Sequence, residues 1–374
     1  MTINEQPGGT IYALSPVIYH ISDSAYNEAN FRYKLEVYIW SGDNPSDKPG
    51  TATFTLSKLP DSNNVGIFDI SQLIRSQLGF EEPYALLHIG TNPVKDNTTG
   101  AVWVQVTATY TSDDSTATPV NSGTRLAVRG FTKYSQSVNS THSSRATMSN
   151  FIDGLVIPNS LQFTASFLTA TIDNLVIEGE PLEKRRQDII ADSGTVESFS
   201  CVYSYATQYN DTYTIIAKDG ATEKRRMAVE VACADRYTQF FIGFLNRFGA
   251  YDYIPALKAR EDSATFERRE FTNSYLNSTA LAVSYTDTEG TERIFEANGQ
   301  ESITINTGYQ PEDIFEMITD MMQSEKIFLV DGTNITPLIP SSGDVAKQKH
   351  INNKLVNYTL AFRVANDLKN LVTI

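Results

Sequence analysis

The chain has 374 residues and a net charge of −14. That length exceeds one ordinary core, so two or three domains are expected, and the acidity disfavours a general role on DNA or RNA, where phosphate neutralisation by Lys and Arg supplies most non-specific affinity. With 41% hydrophobic residues, 20% charged residues and 19 each of Tyr and Phe, the composition favours strands and argues against wholesale disorder.

Residues 31–39 alternate: Phe31, Tyr33, Leu35, Val37 and Ile39 against Arg32, Lys34, Glu36 and Tyr38. This is the pattern of a strand with one buried face. A turn-rich stretch over 41–50 leads to renewed alternation over 51–59, which predicts a β-hairpin. At 68–78 the period changes, placing Ile70, Leu73, Ile74 and Leu78 on one side of a short helix that Asp69 or Ser71 caps. Strand character returns at Val102, Val104, Val106, Ala108 and Tyr110, then over 125–133. Residues 1–133 are therefore expected to form an N-terminal β-sandwich domain.

Residues 134–150 are polar with little hydrophobic period, and are assigned to a linker or arm. A middle strand-rich domain over 151–270 follows. Leu161, Phe163, Ala165 and Phe167 alternate there, as do Tyr213, Ile215 and Ala217, and Lys218-Asp219-Gly220 turns into a strand with Val229, Val231 and Cys233. The C-terminal β-sandwich domain spans 271–374. In it Leu281, Val283 and Tyr285 pair with 293–297, Pro311 opens a helix through Ile314, Phe315, Ile318, Met321 and Met322, and a hairpin joins 326–330 to 335–339. Tyr358, Leu360, Phe362 and Val364 form the closing strand. The first and last regions share an order of paired strands, short helix and further strands, which suggests a duplicated sandwich. The expected fold is mainly β, with two or three immunoglobulin-like β-sandwich domains and a few short helices.

Residues 236–254 concentrate aromatic rings with Arg236, Arg247 and Asp252. Rings at that density are buried or offered to a partner. Tyr237, Phe240, Phe241, Phe244, Leu245 and Phe248 recur at spacings of three and four, which fits an amphipathic helical turn docked on a sheet. The competing reading is an oligomer contact, in which Gly249 ends the helix, Tyr251 and Tyr253 alternate as an edge strand, and Arg247 meets a neighbouring subunit's carboxylates. The candidate interface is thus Tyr237, Phe240, Phe241, Phe244, Arg247, Phe248, Tyr251 and Tyr253.

No comparable concentration of catalytic chemistry is present. His20, His88, His142 and His350 are scattered, and none has a partner at metal-ligand spacing. No nucleophile elbow, phosphate loop, zinc-protease helix or dinucleotide fingerprint occurs. The acidic pairs Glu81-Glu82, Asp113-Asp114 and Glu312-Asp313 are adjacent, whereas glycosidase carboxyls stand ~5–10 Å apart across a sugar. A non-enzyme without cofactor or metal is expected. Cys201 and Cys233 read as buried free thiols. The amino terminus lacks a basic region followed by an apolar run, so synthesis in the cytoplasm and no membrane span are expected.

Two basic patches stand out, Lys184, Arg185 and Arg186, and Lys224, Arg225 and Arg226, with 267–270 as a mixed third cluster; they read as solvated or interface-pairing faces. The Asn-x-Ser/Thr triplets at Asn97, Asn139, Asn210, Asn277, Asn334 and Asn357 reflect a Thr- and Asn-rich β protein rather than glycan acceptors. A reading from another class is a receptor- or carbohydrate-binding adhesin, with Trp40 beside a turn-rich loop and Trp103 as sugar platforms. Edge packing accounts for both rings equally.

The run 233–237, Cys-Ala-Asp-Arg-Tyr, with 244–253, Phe-Leu-Asn-Arg-Phe-Gly-Ala-Tyr-Asp-Tyr, and 358–367, Tyr-Thr-Leu-Ala-Phe-Arg-Val-Ala-Asn-Asp, resembles virion proteins of tailed bacteriophages of Bacteroidetes hosts, the crAss-like phages among them. Ser15-Pro16-Val17 and the 31–37 strand look like that group too. The resemblance implies a non-catalytic structural subunit of a tail, ring or head–tail connector assembly in the virion. Its implied partners are copies of itself and other tail or portal proteins, with no specific nucleic-acid binding and no transferred active-site residue.

Overall fold

The computed structural model describes residues 1–42, 44–80, 94–97, 99–115, 117–136, 139, 148–150, 152–158, 162–168, 172, 174–178, 185–188, 196–202, 212–232, 240–273, 276–285, 288, 290–332, 334–341, 343–349 and 354–368. Among the described residues the protein is mainly β, with strands far outweighing two short helices. Its several sheets place it in the β-sandwich class.

The first sandwich follows from the alternation at its centre. Strand Arg32–Trp40 buries Tyr33, Leu35 and Val37 completely. It forms the expected hairpin with Phe54–Lys58 and pairs antiparallel with Ala101–Thr111, Leu35 opposite Ala108 and Val37 opposite Val106. Arg125–Val128 extends the sheet, and Ile11–Tyr12 joins it in parallel. A three-stranded sheet of Thr2–Glu5, Ile18–Ser22 and Val65–Asp69 supplies Tyr19, Ile21 and Phe68 to the same core. The predicted helix is Ser71–Gln77, with Ile70, Ile74 and Leu78 buried beneath it. Ile70 occupies the cap position, yet Asp69 Oδ1 still accepts from the Ser71 N–H at 2.9 Å and from the Val17 N–H at 3.1 Å, tying the helix start to the neighbouring chain.

The middle region holds a five-stranded sheet in the order Leu155–Pro158, Thr222–Ala232, Thr212–Asp219, Asn174–Glu178, Arg185–Asp188. The predicted turn at Lys218-Asp219-Gly220 joins two of these strands antiparallel. A three-stranded sheet sets Val196–Val202 between Gln162–Leu168 and Val94–Asn97, so a piece of the first region is built into the middle one. Leu161, Cys233 and most of 134–147 lie outside the described residues.

A seven-stranded sheet completes the chain, ordered Tyr251–Ala256, Phe240–Leu245, Ile327–Asp331, Asn334–Pro340, Thr359–Val364, Glu292–Asn306, Glu261–Thr272. The expected border after residue 270 therefore falls inside a strand. One core spans both regions: Ile215, Met227 and Val229 of the middle sheet meet Phe244, Ile314 and Phe362. The hairpin 326–339 and the closing strand form as expected.

Three expectations change. The 283–285 segment pairs with Leu276–Ser278, leaving the long strand Glu292–Asn306 to pair with Glu261–Thr272. Pro311 sits in a short ladder opposite Leu355, and the helix begins later, at Ile314–Met322, with Ile314, Ile318 and Met321 buried as the spacing requires. The paired strands, helix and strands of the first and last regions recur in order, but their sheets are connected differently, so the shared order is not a duplicated sandwich.

Candidate assembly site

The aromatic stretch is a β-hairpin, which corrects the predicted helical turn. Phe240–Leu245 pairs antiparallel with Tyr251–Ala256, Gly243 opposite Tyr253. Spacings of three and four looked helical because both faces are apolar: every residue of both strands is buried. One face, with Phe240, Ile242, Phe244 and Ile254, enters the main core. The other sets Phe241, Leu245, Tyr251 and Tyr253 around Phe328, whose ring lies edge-on to Tyr251 at 5.4 Å. Gly243 makes this possible, because a Cβ there would lie 2.3 Å from the Phe328 ring.

The hairpin tip is a plug. Asn246 Oδ1 accepts from the N–H groups of Phe248 at 2.9 Å and Ala250 at 3.2 Å, and Gly249 takes φ +82°. That turn carries Phe248 into a cluster with Tyr12, Trp40, Trp103 and Val128 of the first sandwich. The Phe131 N–H donates to the Arg247 carbonyl at 2.7 Å beside it. Tyr251 and Tyr253 do lie on the sheet's terminal strand, as the alternation suggests, but they are covered within the chain. Phe240, Phe241, Phe244, Phe248, Tyr251 and Tyr253 are thus not surface for a second subunit, and Tyr237 lies outside the described residues.

Beneath the tip is a closed polar joint. Asn246 Nδ2 donates to Asp252 Oδ2 and to the Met148 carbonyl, each at 2.8 Å. The Asn150 N–H donates to the same carboxylate oxygen at 2.8 Å, and Asn150 Nδ2 to Asp320 Oδ2 at 3.0 Å. Arg247 Nε stands 3.6 Å from Asp320 Oδ2, an ion pair rather than a hydrogen bond, so the cation assigned to a neighbouring subunit is engaged within its own chain. Burial pushes the Asp320 carboxyl up to about 6, against the opposing pull of Arg247 and with the added repulsion of Asp252. Asp252 and Asp320 are 3% and 2% exposed. Closed to solvent, the cluster fastens residues 148–150, the hairpin and the helix together.

Trp40 and Trp103 stand opposite each other on paired strands and are both buried, with their Nε1 atoms donating to the carbonyls of Asn44 at 3.3 Å and Gly42 at 2.8 Å. Neither is a sugar platform. Of the basic patches, Lys224 bridges Asp219 at 3.1 Å and Arg226 bridges Glu223 at 2.8 Å, and both remain exposed with Arg225. Arg185 and Arg186 lie on an outer strand opposite Ile177 and Val176, and Lys184 is outside the described residues. A cavity of about 760 Å³ opens between Ile11, Tyr12, Phe131 and Lys133, and among the described residues Lys133 is the one charged residue in its lining. Among the described residues, no three His, Cys, Asp or Glu side chains are grouped as metal ligands require, and no helix is long and apolar enough to cross a membrane.

What sequence reasoning missed is an exposed arm. Glu261–Thr272 and Glu292–Asn306 form a ribbon that leaves the sheet and carries the small hairpin Leu276–Ser278/Val283–Tyr285 at its far end. All twelve residues of Glu261–Thr272 are exposed. Phe266 is 57% exposed, Phe295 66% and Leu281 99%, with Phe271 and Ile294 also outside any core. The signal lay in the 261–272 pattern itself, where charged and aromatic residues intermix without one consistently apolar face.

No protein family model matches the chain, and no curated protein matches it. Among solved structures, one described as "Biofilm associated protein - BSP domain" is similar at 10% identity and a TM-score of 0.20, over 78% of this chain and 60% of that one. At that score the likeness bears on neither topology nor role.

Proposed function

We propose that this chain is a non-catalytic structural subunit of a tailed-phage virion, built into a tail, ring or head–tail connector from copies of itself and other tail or portal proteins. The arm is the observation that carries the assembly part. A two-stranded ribbon with apolar side chains exposed is marginal alone in water, and exposed apolar surface of this extent marks an interaction site. Assignment to phages of Bacteroidetes hosts rests on the sequence resemblance of 233–253 and 358–367. The net charge of −14 supports it, because a negative wall repels passing DNA instead of retaining it. Both tryptophans are buried, so neither supports the adhesin reading.

Negative-stain images of the purified full-length protein, alone and mixed with portal and tail proteins, test this. Discrete closed or tubular particles are expected in at least one condition. Isolated monomers in both would contradict the proposal.

A further inference from the structure

Strand Glu261–Thr272 ends the seven-stranded sheet, and its outer edge has no partner among the described residues. Beyond Ser302 its inner partner also leaves the sheet, because the pairing to Thr359–Val364 stops there. A free edge of this length is a template for another strand unless it is blunted; residues 261–272 contain neither Pro nor Lys, but six of the twelve are charged and the ladder shifts register at Arg269/Glu270, so a partner strand has to match those charges. Residues 265–272 read Thr-Phe-Glu-Arg-Arg-Glu-Phe-Thr, the same in both directions. That palindrome centres between Arg268 and Arg269 and would set like groups against like, so it fixes no register by itself.

We infer that Glu261–Thr272 pairs edge to edge and antiparallel with the same strand of a second copy, joining two ribbons into one four-stranded sheet. This rests on the proposed role as an assembly subunit and names the contact. A two-fold axis normal to the ribbon keeps the faces of both copies alike, so only residues of equal parity stand opposite each other. In the register centred on Arg269, Arg268 of each copy meets Glu270 of the other, and Phe266 meets Thr272. Arg269 then faces its own equivalent, a repulsion offset in each chain by Glu296, 3.4 Å from the guanidinium. In the register centred on Arg268 the facing arginines have no such carboxylate among the described residues.

The apolar side of the ribbon agrees. Phe266 stands opposite Gly299, and a Cβ on that glycine would meet Phe266 at 2.9 Å and Leu368 at 2.7 Å, so both side chains cover this face. Ala297 and Ile294 follow on the same side, opposite Arg268 and Glu270. Pairing doubles this stripe. A two-fold contact closes a dimer or joins two rings back to back; closing a ring requires a different face.

Sedimentation velocity on the full-length chain compares wild type, Glu270→Arg, Arg268→Glu and the double swap. Both positions are exposed, so the fold is retained, as circular dichroism melting of each variant verifies. Each single change turns two attractions across the axis into repulsions and weakens self-association at least about tenfold. The double swap restores it to within about threefold of wild type. Singles as tightly associated as wild type, or a double swap as weak as the singles, overturn this contact while leaving assembly through another face standing. A wild type that stays monomeric, with and without tail proteins, removes the assembly reading itself.

Discussion

Asn246 Nδ2 meets Asp252 Oδ2 at 2.8 Å across the neck of the aromatic hairpin, and the same side chain's Oδ1 receives two N–H groups of the tip. One amide thus holds both the carboxylate that anchors Asn150 and the turn that aims Phe248. Asn246→Ala leaves Asp252 buried with one donor fewer and the turn without its acceptor. A loss of about 2–4 kcal/mol is predicted from the urea midpoint at unchanged m-value.

Phe248 couples two cores. The first sandwich has its own self-contained cluster, and Phe248 reaches a separate one beside it. Phe248→Ala is predicted to cost about 3–5 kcal/mol and to split a single calorimetric transition into two, with the first sandwich melting apart from the rest.

Asp320 makes part of the joint pH-dependent. Folded, it holds its proton to about pH 6, whereas its ordinary value is 3.8. Between these values the folded state binds more protons, so this group's contribution to stability falls as pH rises from about 4 to about 6 and stays low above that. Asp320→Asn is neutral throughout and keeps an acceptor for Asn150. Its stability relative to wild type is therefore predicted to improve across that window by up to about 3 kcal/mol, read from denaturation at pH 4 and pH 7.

Trp103 is a packing residue with a satisfied N–H. Trp103→Phe is predicted to lower stability by about 1–3 kcal/mol through lost volume and the lost hydrogen bond to the Gly42 carbonyl. A glycan array with wild type and the variant is predicted to be blank for both.

Strands with one buried face were legible in the sequence. Arg32–Trp40, Thr359–Val364 and the hairpin at Lys218-Asp219-Gly220 each carry their period or turn signal locally. The aromatic hairpin was not, because a strand buried on both sides has no period of two and its ring spacings imitate a helix. Its role as a plug depends on Tyr12, Trp40 and Met148, distant in sequence, so no local pattern announces it. The arm was hidden for the opposite reason: Glu261–Thr272 buries neither face, and hydrophobic periodicity reports only what a fold covers.

Self-assembly can be read from the light-scattering mass of the full-length protein at several concentrations and two salt levels, alone and with tail proteins. A discrete multimer, or a mass that rises with concentration above the 41.5 kDa monomer, is expected. A mass fixed at 41.5 kDa under every condition would contradict it.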